Sequence, residues 1–273
     1  MIKKQWGRKN RRHKEPFFVM AKRRVVKSLK VAFVVLILPV SAVSVWAVYR
    51  ELTTTKLLAI NTVEVSGLKR VSKSDVMALA GISQGQNLLA FKPAAAESGL
   101  RKNPWIKYAK VSRLVPDTVS IELKERIPAA LVKLEAMYVM DADGVIFKEF
   151  TNSDNLDLPV VTGFTAQDLK QDELKQDEDG AQRGLLDLIR ILNTRAGFNA
   201  RGVSEIHMDA AYGFSIYTLN EGVKVDLGRD AFEEKLVAFE RVTASRGGRL
   251  SGVEAIRITG AREAIVRFGS NVL

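Results

Sequence analysis

From Val31 to Val48 the chain reads VAFVVLILPVSAVSVWAV, eighteen residues without a charge, and no other stretch restricts its architecture as much. As a helix this run is about 27 Å long at 1.5 Å per residue, close to a hydrocarbon thickness of about 30 Å. A core helix of a soluble domain normally keeps one charged face, so the run is read as a single transmembrane helix over 31–49. Pro39 is tolerable inside such a helix, and Trp46 and Tyr49 fall where aromatic side chains collect at the membrane interface. A cleaved signal sequence is the competing reading, with Ala42-Val43-Ser44 as a loose small-residue cleavage site. The run exceeds a usual signal core of about 7–15 residues, and its basic leader is long, which favours an uncleaved anchor.

Charge supplies the orientation. The formal charge is +11, and twelve Lys and Arg lie among residues 1–30 against the single acid Glu15. The rest of the chain balances thirty basic with thirty acidic residues. A nucleic-acid-binding domain would carry its excess on the folded part, whereas here the excess stops where the apolar run begins. Residues 1–30 are therefore read as a basic cytoplasmic tail that also suits anionic lipid, with everything after about Arg50 outside. Cysteine is absent, which excludes disulfides, thiolate nucleophiles and cysteine metal sites.

After a linker over Glu51–Leu58, periodicity predicts an outer α+β part in two small units. Residues 60–67 read as a strand, 72–80 as a helix capped by serine and stopped by Gly81, and 93–100 as a second helix. Strands follow at 108–114 and 118–125, turned by Val115-Pro116-Asp117. In the second of these Val119, Ile121 and Leu123 alternate with Ser120, Glu122 and Lys124, giving one buried and one wet face. Ile127-Pro128 opens the distal unit: strands at 129–134, 138–140 and 145–147, then an acid-rich loop over 167–180. Leu185, Leu188, Ile189 and Leu192 mark a helix. Strands at 203–208, 214–219 and 223–227 lead to a second helix, capped by Asp230 with Glu233 in capping-box position. Strands at 254–258 and 264–268 close the chain.

Little in this pattern suggests catalysis. His13 lies in the basic tail and His207 within a predicted strand, so no Ser-His-Asp arrangement can form across the membrane. Asp141-Ala142-Asp143-Gly144 lacks the further ligands and closing Glu of a calcium loop and reads as a hairpin turn. Gly247-Gly248 precedes Arg249-Leu250 rather than a phosphate-binding Lys. The acids over 172–179 read as a solvated charge run. No enzyme, cofactor or metal site is expected. An anchored cell-wall hydrolase or transferase would need a nucleophile, metal site or carboxylate pair that no spacing supplies. A sensor would need more cytoplasmic chain than thirty residues provide.

What remains is backbone. The closing strand, Ala264-Ile265-Val266-Arg267-Phe268, beside Ile256-Arg257-Ile258, is expected to end an antiparallel sheet. Its unpaired N–H and C=O groups would then accept a partner's strand. The alternative is an ordinary closing strand covered by residues 269–273.

Several motifs carry a resemblance. They are Ile60-x-x-Val63-x-Val65-x-Gly67, Asn103-Pro104-Trp105-Ile106-Lys107, Val111-x-Arg113-x-x-Pro116-Asp117-Thr118-Val119 and the junction Glu125-Arg126-Ile127-Pro128-Ala129-Ala130. Asp141-x-Asp143-Gly144-Val145-Ile146-Phe147, Leu158-Pro159 with Gly163, and Gly222-Val223-Lys224-Val225-x-Leu227-Gly228 follow in order. In this order behind one membrane helix, the chain resembles the FtsQ/DivIB family of bacterial cell-division proteins. The resemblance implies an inner-membrane, single-pass protein with a cytoplasmic N-terminus, a periplasmic POTRA domain (58–126, β-α-α-β-β) and a distal β-rich domain with two helices (127–273). It further implies a non-enzymatic scaffold at the division septum. The distal sheet would dock the FtsB and FtsL division proteins, and the POTRA domain and membrane helix would meet other divisome proteins. Where that family often carries Asp-Leu-Arg-Tyr, this chain reads Ala255-Ile256-Arg257-Ile258. An aromatic anchor for a partner would then have to be replaced by Ile258 or supplied by Phe268.

Overall fold

Residues 17–55, 58–165 and 180–269 are described by the computed structural model. The start of the basic tail, nearly all of the acid-rich loop and the proposed cover from residues 270–273 lie outside them. The apolar run sits inside one long helix, α1 (Phe17–Thr54), with Pro39 within it. Its segment Val26–Thr54 is long and apolar enough to cross a membrane. Val31, Leu36, Leu38 and Val45 are all exposed, so this is not the core helix of a soluble domain. The helix also takes in Glu51–Thr54, which the sequence placed in a linker. Polar side chains do not end a helix by themselves, and here the Thr53 and Thr54 hydroxyls bond back to the Arg50 carbonyl at 2.9 and 3.0 Å.

The chain divides into two compact units. One takes in α1 and the chain up to Glu64 with Ile82–Pro93 and Ser112–Ser120; the other takes in Val65–Gly81, Ala94–Val111 and the chain from Ile121 onward. Along the chain β1 (Thr62–Ser66), α2 (Lys73–Leu79), α3 (Pro93–Leu100), β2 (Ile106–Leu114) and β3 (Thr118–Glu125) follow in the predicted β-α-α-β-β order, with the strands arranged β1-β3-β2. Ser72 caps α2, its Oγ accepting from Asp75 N at 3.1 Å. Val119, Ile121 and Leu123 are buried as their alternation requires, and Glu125 is buried on the same face. Gly67 has φ +84°, and a Cβ there would stand 1.9 Å from the Leu123 carbonyl oxygen. Only glycine fits that approach.

The distal part is a nine-stranded sheet. Its strands are β4 (Pro128–Lys133), β5 (Met137–Asp141), β6 (Ile146–Glu149), β7 (Val160–Thr162), β8 (Val203–Asp209), β9 (Gly213–Thr218), β10 (Lys224–Gly228), β11 (Val253–Gly260) and β12 (Glu263–Phe268). They run β12-β11-β10-β9-β8-β7-β4-β5-β6 across the sheet. The sheet is mixed, not antiparallel throughout: β7 pairs in parallel with β4 and β8, and β10 with β11. Parallel neighbours need a crossover. Here α4 (Ala181–Thr194) joins β7 to β8, and α5 (Phe232–Ser245) joins β10 to β11. Leu185, Leu188 and Leu192 of α4, with Leu236 and Phe239 of α5, pack in one core with Val161, Ile206, Ile216, Val225 and Ile256.

Because those strand residues are register partners, the neighbouring positions form a row on the opposite face. This row is Thr162, His207, Ser215, Asp226, Arg257 and Ile265. It is polar nearly to the edge. Thr162 Oγ1 donates to Glu205 Oε1 at 2.6 Å and lies 2.7 Å from His207 Nδ1. Ser215 Oγ donates to Asp226 Oδ1 at 2.8 Å, and Lys224 Nζ approaches the same oxygen at 3.1 Å. Burial opposes ionisation of Asp226, but Ser215, Lys224 and Arg257 together outweigh it and hold the carboxyl below its ordinary range.

One predicted cap is overturned. The residue before α5 is Ala231 at φ 51°, without a side-chain cap. Asp230 instead pairs with Lys235 at 2.9 Å, whose ammonium also donates to Leu227 O at 2.8 Å. Glu233 takes Arg195. A lysine of the helix's own first turn and a distant arginine therefore claim the two acids that local capping chemistry had assigned.

Candidate partner-binding edge

β12 is the terminal strand of the sheet. It pairs with β11 through Ala255↔Arg267, Ile256↔Val266, Arg257↔Ile265 and Ile258↔Ala264. Among the described residues no strand pairs with its other side. Half the backbone groups of a terminal strand point away from its neighbour. Gly269 N, just past the strand, donates to Gly252 O at 3.1 Å and extends the pairing with the β11 side by one residue.

The eight residues singled out from the sequence fall into four pairs. Ile256 and Ile258 are buried in the core, so Ile258 offers no side chain to a visitor in this arrangement. Ala264 and Val266 are half-buried, on the face that α5 covers. Ile265 and Phe268 are 62% and 52% exposed; Phe268 lies beneath the Arg246 guanidinium, 5.2 Å from its ring centroid. Arg257 and Arg267 stand on the open face, held by Asp226 at 3.4 Å and Glu254 at 2.9 Å. A cavity of about 290 Å³ lies between α5 and the β11–β12 turn, lined by Ala238, Arg241, Val242, Arg262, Glu263 and Ala264. An added strand would thus meet a small apolar step on the helix side, with Phe268 at its end, and Ile265 between arginines on the other.

The junction Glu125-Arg126 carries chemistry that its sequence did not reveal. Glu125 accepts from three backbone N–H groups of the loop after β1: Lys69 at 2.8 Å, Arg70 at 2.8 Å and Val71 at 3.2 Å. Arg126 Nη1 donates to the buried Asp141 Oδ2 at 2.6 Å. Asp141 Oδ1 accepts from Asp143 N and Val145 N at 3.0 and 2.9 Å, closing the β5–β6 turn around Gly144. One dipeptide thus secures the approach to α2 with one side chain and a hairpin of the distal sheet with the other. The sequence marked the dipeptide only as part of the junction motif Glu125–Ala130, without its partners.

Residues 58–126 match the family profile described as POTRA domain, FtsQ-type, and residues 130–258 that of Cell division protein FtsQ/DivIB, C-terminal. Cell division protein FtsQ of Geobacter sp. (strain M21) is 34% identical over 225 residues, covering 81% of this chain and 80% of that protein. Cell division protein FtsQ of Geotalea daltonii is 32% identical over 222 residues with the same coverage. That of Anaeromyxobacter sp. (strain K) is 33% identical over 207 residues, covering 76% and 69%. With its apolar helix, POTRA domain and helix-backed distal sheet in that order, the chain belongs to the FtsQ/DivIB family of cell-division proteins.

Proposed function

We propose that the chain is a non-catalytic divisome scaffold, anchored by α1 in the inner membrane with its tail in the cytoplasm and its folded part in the periplasm. It captures a division partner by strand addition to β12. The observation that carries this reading is that no strand among the described residues pairs with the outer side of β12, which is flanked by exposed Ile265 and Phe268. Main-chain bonds provide affinity in such docking, and alternate side chains provide selectivity. The incoming strand places apolar residues toward Ala264, Val266 and Phe268. The basic rim of Arg241, Arg246 and Arg262 favours acids beside it. FtsB- and FtsL-like proteins, which share the membrane and the septum in this family's assembly, are the partners in this reading.

The test is a photoreactive residue placed at Ile265 or Phe268 in dividing cells, with Tyr212, 76% exposed in the β8–β9 turn, as the control. Both edge positions are expected to crosslink an FtsB- or FtsL-like protein and Tyr212 to capture neither. Edge positions as silent as Tyr212 would remove β12 from the scaffold's mechanism. A topology reporter fused after Leu273 is expected to be active only outside the cytoplasm; activity inside would end the proposed orientation.

A further inference from the structure

The last turn of α1 is held by a side chain from a distant loop. Asn87 Nδ2 donates to Leu52 O at 2.9 Å and to Thr55 O at 3.0 Å, satisfying carbonyls that a helix C-terminus leaves bare. The same side chain fixes its own loop, Oδ1 accepting from Leu89 N at 2.9 Å and Ala90 N at 3.2 Å. Leu58 to Ile60 run beside this loop, with Leu88 N donating to Leu58 O and Ile60 N to Gln86 O, each at 2.7 Å.

Two further ties reach the β2–β3 turn. Arg113 donates to Phe91 O through Nε at 3.0 Å and through Nη2. On the turn's other side, Asn61 N donates to Asp117 O at 3.0 Å and Asn61 Nδ2 to Asp117 Oδ2 at 3.2 Å. The turn between Arg113 and Asp117 is therefore bonded on one flank to the loop that holds the end of α1 and on the other to the chain that follows the helix. Between those flanks lie Leu114, Val115 and Pro116, without a charge, with Leu114 46% and Val115 73% exposed. Solvated turns ordinarily carry polar residues and glycine.

Depth follows from the helix. Its uncharged run ends at Val48, and the six residues to Thr54 rise about 9 Å further. One headgroup layer is about 5–8 Å deep. The Asn87 tie thus sits at the outer border of the headgroups, and the turn is joined to it through a single loop. Arg50 and Lys92, both exposed, supply cations at the same end for lipid phosphates.

We propose that Leu114-Val115-Pro116 is a second membrane contact, in which the hairpin tip rests in the outer headgroup layer of the bilayer that α1 crosses. The occupant is lipid, because these ties fix the tip beside the membrane helix. The proposal rests on α1 spanning the bilayer, and the experiment separates the two ideas.

The chain has no cysteine, so single-cysteine variants of the full chain can be labelled with a nitrobenzoxadiazole dye. Val45→Cys, Val115→Cys and Tyr212→Cys are reconstituted in nanodiscs of phosphatidylethanolamine and phosphatidylglycerol. Val45→Cys is quenched by lipid carrying a deep spin label if α1 spans. Val115→Cys is expected to be quenched at least twofold more than Tyr212→Cys by lipid spin-labelled near the headgroup, and less by aqueous iodide. A Val45 dye beyond reach of the deep label would overturn the spanning reading and the proposal with it. A quenched Val45 dye with Val115 indistinguishable from Tyr212 would leave the span standing and refute the hairpin contact.

Discussion

Replacing Glu125 with Ala tests the account of the junction. Its Oε1 accepts from Lys69 N and Val71 N and its Oε2 from Arg70 N. Lys69 and Arg70 are exposed and Val71 is buried. Two of the three N–H groups can therefore return to water, at a net loss of about 0.5–1.5 kcal/mol each, while the third is stranded at about 1–3 kcal/mol. The total is about 2–6 kcal/mol. At about 2–4 °C per kcal/mol for a domain of this size, the melting temperature should fall by at least about 4 °C. Glu125→Gln is the internal control. Its amide oxygen can occupy the Oε1 position and keep two bonds, while its NH2 group faces the Arg70 N–H and loses the third. It should therefore fall by well under the Ala value. The assay is thermal unfolding of the full chain in nanodiscs, followed by far-ultraviolet circular dichroism. An Ala variant melting within about 1 °C of the parent, or a Gln variant melting below Ala, would refute the argument that carboxylate acceptance holds this loop.

Asp154 is buried and accepts from Lys148 Nζ at 2.5 Å and from Thr151 N and Oγ1 at 2.9 Å. Burial opposes its ionisation, but these partners prevail and hold its carboxyl below the ordinary value. Its stabilisation is therefore present above about pH 3.9 and is lost as pH falls through the lower folded value. Asp154→Asn should be less stable than the parent at pH 7, with the gap closing below about pH 4 in urea titrations. A gap that does not change with pH refutes this. Gly67→Ala, at positive φ against the Leu123 carbonyl, should cost at least about 1–3 kcal/mol, and an unchanged melting temperature would contradict the close approach. Leu188→Ala removes a fully buried side chain between α4 and the sheet and should cost about 2–5 kcal/mol by urea unfolding; a loss under 1 kcal/mol would place Leu188 outside the core.

The elements legible in the sequence were those with one wet face. β3 alternates because only one of its faces is packed, and α4 shows Leu185, Leu188, Ile189 and Leu192 because solvent takes the rest of its circumference. β4 buries Ala129, Ala130, Leu131 and Val132 in succession, so its strand character rests on composition and turns rather than on period. β7 has only three residues, too few for any period, although it holds the centre of the sheet between β4 and β8. The Asp230 cap failed for another reason: its local pattern was present, but Lys235 in the helix's own first turn takes Asp230 and the distant Arg195 takes Glu233. The strand Ala264–Phe268 could be read as a strand. Its place at the border depended on two crossovers that no local window contains. Glu125 was likewise visible as part of a motif, but its partners are backbone N–H groups 54 to 56 residues earlier.

The two borders of the distal sheet are not equivalent, and this supports docking at one of them. A sheet border invites unwanted pairing unless it is short, charged or occupied. β6 is four residues long and carries Lys148 and Glu149. Phe147 meets Trp105 edge to face at 5.2 Å, and Lys148 is committed to Asp154 and lies 5.6 Å from the Trp105 ring. Arg70 covers the same indole at 4.7 Å. Side chains from the POTRA part thus engage the β6 border. β12 is longer, places Ile265 and Val266 mid-strand, and has no equivalent attachment among the described residues. A border left open for no purpose would be an aggregation hazard, and the β6 side already displays the usual remedies. β12 carries Glu263 and Arg267 toward its two ends, but its middle is the apolar Ala264-Ile265-Val266, and that apolar centre supports the proposed strand addition. Introducing Lys at Ile265, a common natural edge blocker, should therefore abolish partner capture while leaving the melting temperature within about 2 °C, because the Ile265 side chain lies outside the core.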